Sequence, residues 1–169
     1  MVDPHRPLLA EIRALRAQFG SDDPDDWRIW RYPLSPCLTS MVVVHEEETV
    51  MVPDDALSVF DLLIQLEHLS TAPPDPDRLR AAPFLDMWSV RRMDDGCLHL
   101  IGEVSGHANL ADGVGIFTEP YLRLDQARGW ARTCNAYYRL GRHDRQRDDF
   151  NRAFYDARGT VSPDLDLEN

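Results

Sequence analysis

Gly106–His107 and Asp112–Gly113 bound the loop in this sequence that most resembles a motif, and His107 near Glu103 has the residue types for proton transfer or ligation. A catalytic imidazole needs a partner that orients it, and no such partner is evident in the sequence. The simpler reading gives Gly106 and Gly113 positive φ and lets His107 hydrogen-bond the loop backbone. Cys97 and His99 share one strand face, and Cys37, Cys134 and His45 could join them in space. Zinc sites use closely spaced ligand pairs, and this chain has none, so neither a metal nor a cofactor is expected. Cys134 as a nucleophile would need a cation aimed at its thiol, and strand alternation does not guarantee that Arg132 or Arg139 faces it. Phosphate-cradling glycine motifs are absent, and there is no Lys to complete a P-loop. No catalytic residue is assigned, and an enzyme of unfamiliar type around His107 is the second alternative for function.

Charge says more than motifs do. The 169 residues include 29 Asp and Glu against 18 basic residues, all of them Arg, for a net charge of −11. A chain so acidic repels phosphate, so direct DNA binding and binding to an anionic membrane are not expected. The acids cluster at Asp22, Asp23, Asp25 and Asp26, beside Trp27, and again at Glu46, Glu47 and Glu48. Residues 128–158 run the other way, with eight Arg against four acids, and Arg139, Arg142, Arg145 and Arg147 are the densest part. Such a dipolar chain could pair with itself as a weak, salt-sensitive homodimer through Leu140–Arg158. The start of the chain lacks a signal-peptide pattern and no apolar run is long enough to span a bilayer. Three widely spaced cysteines favour reduced thiols, which places the protein in the cytoplasm.

The elements that must hold these groups follow from periodicity. Leu8, Ile12, Leu15 and Phe19 recur at helical spacing after Pro7 and before Gly20. Trp27–Tyr32 reads as a short strand, and Leu38–His45 with Thr49–Val52 as a hairpin around the three glutamates. Asp54–Leu69 is apolar around much of its circumference, which predicts a central, packed helix. Asp75–Pro76 can start a short helical turn through Ala82. The period then becomes two, with strands expected at 87–92, 97–104, 114–117, 121–124, 130–133 and 137–140. Gly96, Gly113 and Gly129 mark turns between them. Asp144–Arg158 is a weakly amphipathic helix and 160–169 an acidic tail. The fold class is therefore α+β: an antiparallel meander or half-barrel with a packed central helix, plus N-terminal and C-terminal helices. The organisation is an N-terminal helix and hairpin over 1–53, a core over 54–143, and a C-terminal helix and tail over 144–169.

Three segments carry a family resemblance: Ala82–Trp88 (APFLDMW), Gly102–Gly113 (GEVSGHANLADG) and Gly129–Gly141 (GWARTCNAYYRLG). In that order, over about Leu57–Arg142, they resemble a family of small uncharacterised proteins common in alphaproteobacteria. Ala108 departs from its usual Pro, and Asn135–Ala136 from a Ser-Arg pair. The resemblance implies a fold and no activity. The function expected from the charge is that of a non-enzymatic acidic interaction protein that binds and modulates or inhibits a basic protein partner. Its sharper form is a phage or mobile-element anti-defence protein that imitates nucleic-acid charge, with Asp22, Asp23, Asp25, Asp26, Trp27, Glu46, Glu47 and Glu48 as the contact surface. The first alternative is a small regulatory module that captures an anion or RNA through Arg139, Arg142, Arg145 and Arg147.

Overall fold

The computed structural model describes residues 6–19, 34–42 and 59–156, with Asp95 excepted. The elements are α1 (Arg6–Phe19), α2 (36–42), α3 (Val59–Thr71), α4 (Pro76–Ala81), β1 (Phe84–Arg92), β2 (Leu98–Ser105), β3 (Val114–Asp125), β4 (Trp130–Thr133), β5 (Tyr137–Leu140) and α5 (Arg145–Asp156). The class is α+β. The chain divides into two compact units, His5–Thr71 and Ala72 onward. The division falls at the start of the Thr71–Asp77 turn-rich stretch.

In the first unit α3 packs on α1. Ile12 and Leu15 of α1 and Leu62, Leu63, Leu66 and Leu69 of α3 are buried. Glu67 ties the pair together, accepting from Arg13 Nε at 2.9 Å and from Arg16 Nη1. The Arg13 hydrogen bond is the main reason that the Glu67 carboxyl lies below its ordinary pKa.

The strand expected at Leu38–His45 is corrected: residues 36–42 are helical, and residues 43–50 lie outside those described. Ser35 caps this turn, its Oγ accepting from Leu38 N–H at 3.2 Å and its carbonyl from Thr39 N–H at 2.9 Å. Pro36 follows at the first helical position, where its missing N–H costs nothing. Leu38 and Val42, one turn apart, are fully buried. The expected strand at Trp27–Tyr32 also lies outside the described residues.

In the second unit, four antiparallel pairings join β1 to β2, β3, β4 and β5 in sequence. Phe84 and Leu85 then pair parallel with Arg139 and Leu140, so the strand order closes on itself. Four of the five pairings are those of the expected antiparallel meander or half-barrel, and the parallel one makes the sheet mixed. Leu85, Trp88, Val90, Leu98, Leu100, Val104, Tyr121, Ala131 and Tyr138 fill its core. A second correction concerns 114–117 and 121–124, which form one strand, β3. Its first half pairs with β2 and its second with β4, with register irregularities on both sides of Pro120. A proline, lacking an N–H, is tolerated in a strand at such an irregularity.

Candidate functional site

The arginine-bearing segment 139–148 is laid along β1 by a ladder of backbone bonds. Arg139 N–H donates to Pro83 O, Gly141 N–H to Leu85 O, Trp88 N–H to Arg142 O, and Asp144 N–H to Trp88 O, all between 2.7 and 3.0 Å. β1 is irregular where this ladder begins. Its register shifts between Asp86 and Ser89, and Met87 has φ +47°, a left-handed conformation that side chains with a Cβ rarely adopt. The strain is held by both neighbours. Asp86 grips Arg142, and Trp88 donates its indole Nε1–H to Gly141 O at 3.1 Å.

Each arginine of the expected anion site now has a place. Arg142 is bound to Asp86 through its backbone N–H (2.8 Å) and through Nη2 (2.6 Å) and Nε (3.2 Å). The Arg142 guanidinium and N–H hold the Asp86 carboxyl far below the usual carboxylate range, and Asp86 in turn raises the Arg142 pKa. Arg139 Nε donates to Ala82 O at 2.9 Å. Arg147 donates its N–H to Asp144 Oδ1 at 3.0 Å, while its Nε lies 3.4 Å from Asp144 Oδ2. Arg145 is exposed. Three of the four are thus engaged by the fold.

Beneath them lies a group that sequence reasoning did not single out. The His143 ring stacks on Trp88 with centroids 4.2 Å apart. Its Nε2 donates to Asp148 Oδ2 at 2.5 Å, and Asp148 Oδ1 accepts Val90 N–H at 2.7 Å. An imidazole hydrogen-bonded to a carboxylate is the pairing of a general base with its orienting group. Here the other ring nitrogen, Nδ1, is buried and makes no hydrogen bond. Solvent does not reach that atom, so the pair fastens α5 to β1. No signal in the sequence marks two residues five apart, one before the helix and one within it, as partners.

The other sequence candidates sort as follows. His107 Nδ1 accepts Asn109 N–H at 3.2 Å, Gly106 N–H donates to Asp112 Oδ1 at 2.8 Å, and Gly106 and Gly113 have φ +69° and +81°. That is the loop-organising role. His99 Nδ1 donates to Thr118 O at 2.7 Å. Cys37 and Cys97 are disulfide-bonded and Cys134 remains a thiol, which corrects the expectation of three reduced cysteines. Asp22, Asp23, Asp25, Asp26, Trp27, Glu46, Glu47 and Glu48 lie outside the described residues. No helix among the described residues is long and apolar enough to cross a membrane.

A protein-family model, the family of unknown function DUF6634, matches residues 51–152. The chain belongs to this family. The DUF6634 match contains all five strands, and the resemblance read over Leu57–Arg142 falls inside it. No curated protein and no solved structure matches the chain.

Proposed function

We propose that this DUF6634 protein is a non-enzymatic interaction protein that presents acidic surface to a basic protein partner, and modulates or inhibits that partner by occupying a surface made for nucleic acid. The observation that supports this over its rivals is the fate of the arginine-rich segment. Arg139, Arg142 and Arg147 are engaged by Ala82, Asp86 and Asp144, so the basic segment that could have captured RNA is used to close the fold. The His107 alternative weakens for the same kind of reason, since its ring serves Asn109. Negative charge is then what the chain has to offer a partner, and charge acts mainly on the rate of encounter.

The proposal places this encounter in the cytoplasm. A disulfide-bonded cysteine such as Cys97 is unusual for that compartment. Cys97 is only 1% exposed, which hinders attack by cytoplasmic thiols.

The test begins with affinity purification of a tagged chain, followed by stopped-flow association with the partner recovered. Neutralising Asp22, Asp23, Asp25 and Asp26 together, or Glu46, Glu47 and Glu48 together, is expected to slow association about three- to tenfold, and added salt to do the same. An association rate indifferent to both would remove the proposal.

A further inference from the structure

β3 is 12 residues long and β4 only 4, so β3 outruns its neighbour. Tyr121–Asp125 pair with β4, whereas Val114–Phe117 pair only with β2 among the described residues. The first half of β3 therefore has an open edge. Which groups face that edge follows from the ladder. Along a strand, the N–H and C=O of one residue point to one side and those of the next to the other. Val104 O accepts Gly113 N–H at 2.8 Å and Leu100 N–H donates to Thr118 Oγ1 at 3.0 Å, so Val104, Gly102 and Leu100 turn their backbone polar groups toward β3. Val114 and Ile116, the register partners of Val104 and Gly102, turn theirs toward β2. The N–H and C=O of Gly115 and of Phe117 then aim away from β2, and no described residue pairs with them.

Natural sheets blunt such an edge with charge or proline, and Val114–Thr118 (VGIFT) carries neither. It carries a bump and a notch on one face instead. Phe117 is 54% exposed, and a Cβ built on Gly115 meets nothing within 4 Å. Antiparallel pairing of β3 with itself about Ile116 sets each Phe117 opposite the Gly115 of the other copy. Each copy then donates hydrogen bonds from Gly115 and Phe117 and accepts them at the same two residues. The ring covers the bare glycine backbone, as aromatic residues do for edge glycines. Charge agrees with this register. Arg91 lies over the Phe117 ring, 5.3 Å from its centroid, and makes no ion pair among the described residues. Exposed Glu103 is the cross-strand neighbour of Gly115 on β2. The same pairing carries Arg91 of each copy toward Glu103 of the other.

We propose that the open edge of β3 pairs antiparallel with β3 of a second copy of this chain, centred on Ile116, to make a two-fold dimer with one sheet running through it. A second copy suits this edge because the fit is reciprocal: each strand brings the ring, the notch, the donors and the acceptors that the other lacks. The seam is short beside a standard interface of about 1,600 Å², and each chain carries a net charge of −11, so the dimer is a weak one. It differs from charge-driven pairing through Leu140–Arg158, because its contacts are backbone hydrogen bonds and a single aromatic ring from each side.

The full chain is followed by sedimentation equilibrium and by amide hydrogen exchange from about 1 μM to about 1 mM. A monomer–dimer equilibrium is expected, in which the Gly115 and Phe117 amides gain protection as the dimer forms and the Ile116 amide is protected throughout. Gly115→Pro removes a donor that β2 does not use and should weaken dimerisation about tenfold or more, since the bond is lost on both sides of the two-fold. Gly115→Ala keeps that donor and should dimerise as the wild type does. Phe117→Lys, which puts a charge at the seam, should weaken the dimer too, and carries the test if Gly115→Pro does not fold. The proposal is overturned if the chain stays monomeric, if it dimerises with the two amides unprotected, or if Gly115→Pro and Phe117→Lys dimerise as tightly as the wild type. Protection of both amides in the dilute monomer would mean that a segment of the same chain covers the edge, and protection gained only on adding another protein would give the edge to a foreign strand. Either result overturns pairing between copies.

Discussion

Asp86 and Asp148 are two carboxylates doing one job, each fixing a piece of the chain that follows β5 to an irregular strand. Asp86 is ionised in the clamp, with a folded-state pKa depressed below its ordinary value of 3.8 chiefly by the Arg142 hydrogen bond. A group depressed in this way stabilises the fold fully at pH above that ordinary value and loses its contribution as the pH falls below it. The Tm of the wild-type protein should therefore fall more steeply below about pH 4 than that of Asp86→Asn, the two curves converging at low pH. Parallel curves in calorimetry would count against the clamp. Glu67, depressed mainly by Arg13, titrates with the same sign, so some acid sensitivity persists in the variant. Asp148 acts through burial. Asp148→Ala leaves Val90 N–H and His143 Nε2 without an acceptor, at a cost of about 1–3 kcal/mol for each orphaned donor. Asp148→Asn, which keeps a side-chain oxygen, should lose less in urea unfolding. Equal losses would show that the hydrogen bonds contribute little.

At the scale of elements, β1 is where local preference and tertiary structure disagree most. Its alternation was legible from Trp88, Val90 and their neighbours, yet the strand begins three residues earlier and carries a left-handed Met87. The distortion lets Gly141 lie against β1. A Cβ at Gly141 would collide with the Phe84 ring and the Asp86 carboxylate, whereas a Cβ at Gly115 would meet nothing. Gly141→Ala is therefore expected to destabilise the fold by about 1–3 kcal/mol through overpacking. Gly115→Ala is the control for steric collision, and similar thermal shifts in both would show that close approach at Gly141 is not the cause. The short α4 follows its sequence signals closely, with Asp75 as cap and Pro76 first in the helix. The Ser35–Pro36 pair gave the same signal before α2, but the apolar, β-branched run after it pointed to a strand. One turn with Leu38 and Val42 both buried prevailed.

For the whole molecule, the second unit contains its own core and a strand order that closes without help from residues before Ala72. A chain beginning at Ala72, kept in reductant, is expected to unfold cooperatively in circular dichroism, as small single domains do. A broad, probe-dependent transition would mean that the two units depend on each other for folding. The α+β class, the strands β2, β4 and β5, the short helix after Asp75 and the glycine turns were written locally, in period, capping residues and turn chemistry. The charge imbalance was equally a property of composition.

Other features required partners distant in sequence. Parallel closure of β1 on β5 joins residues more than fifty positions apart, and no local pattern encodes that pairing. The engagement of Arg142 by Asp86 and of His143 by Asp148 turned an apparently basic segment into an internal fastening. The register that sets Arg123 against Arg132 came from bulges beside Pro120. A one-residue slip would have sent those two side chains to opposite faces, so that juxtaposition was decided by how the strands pair.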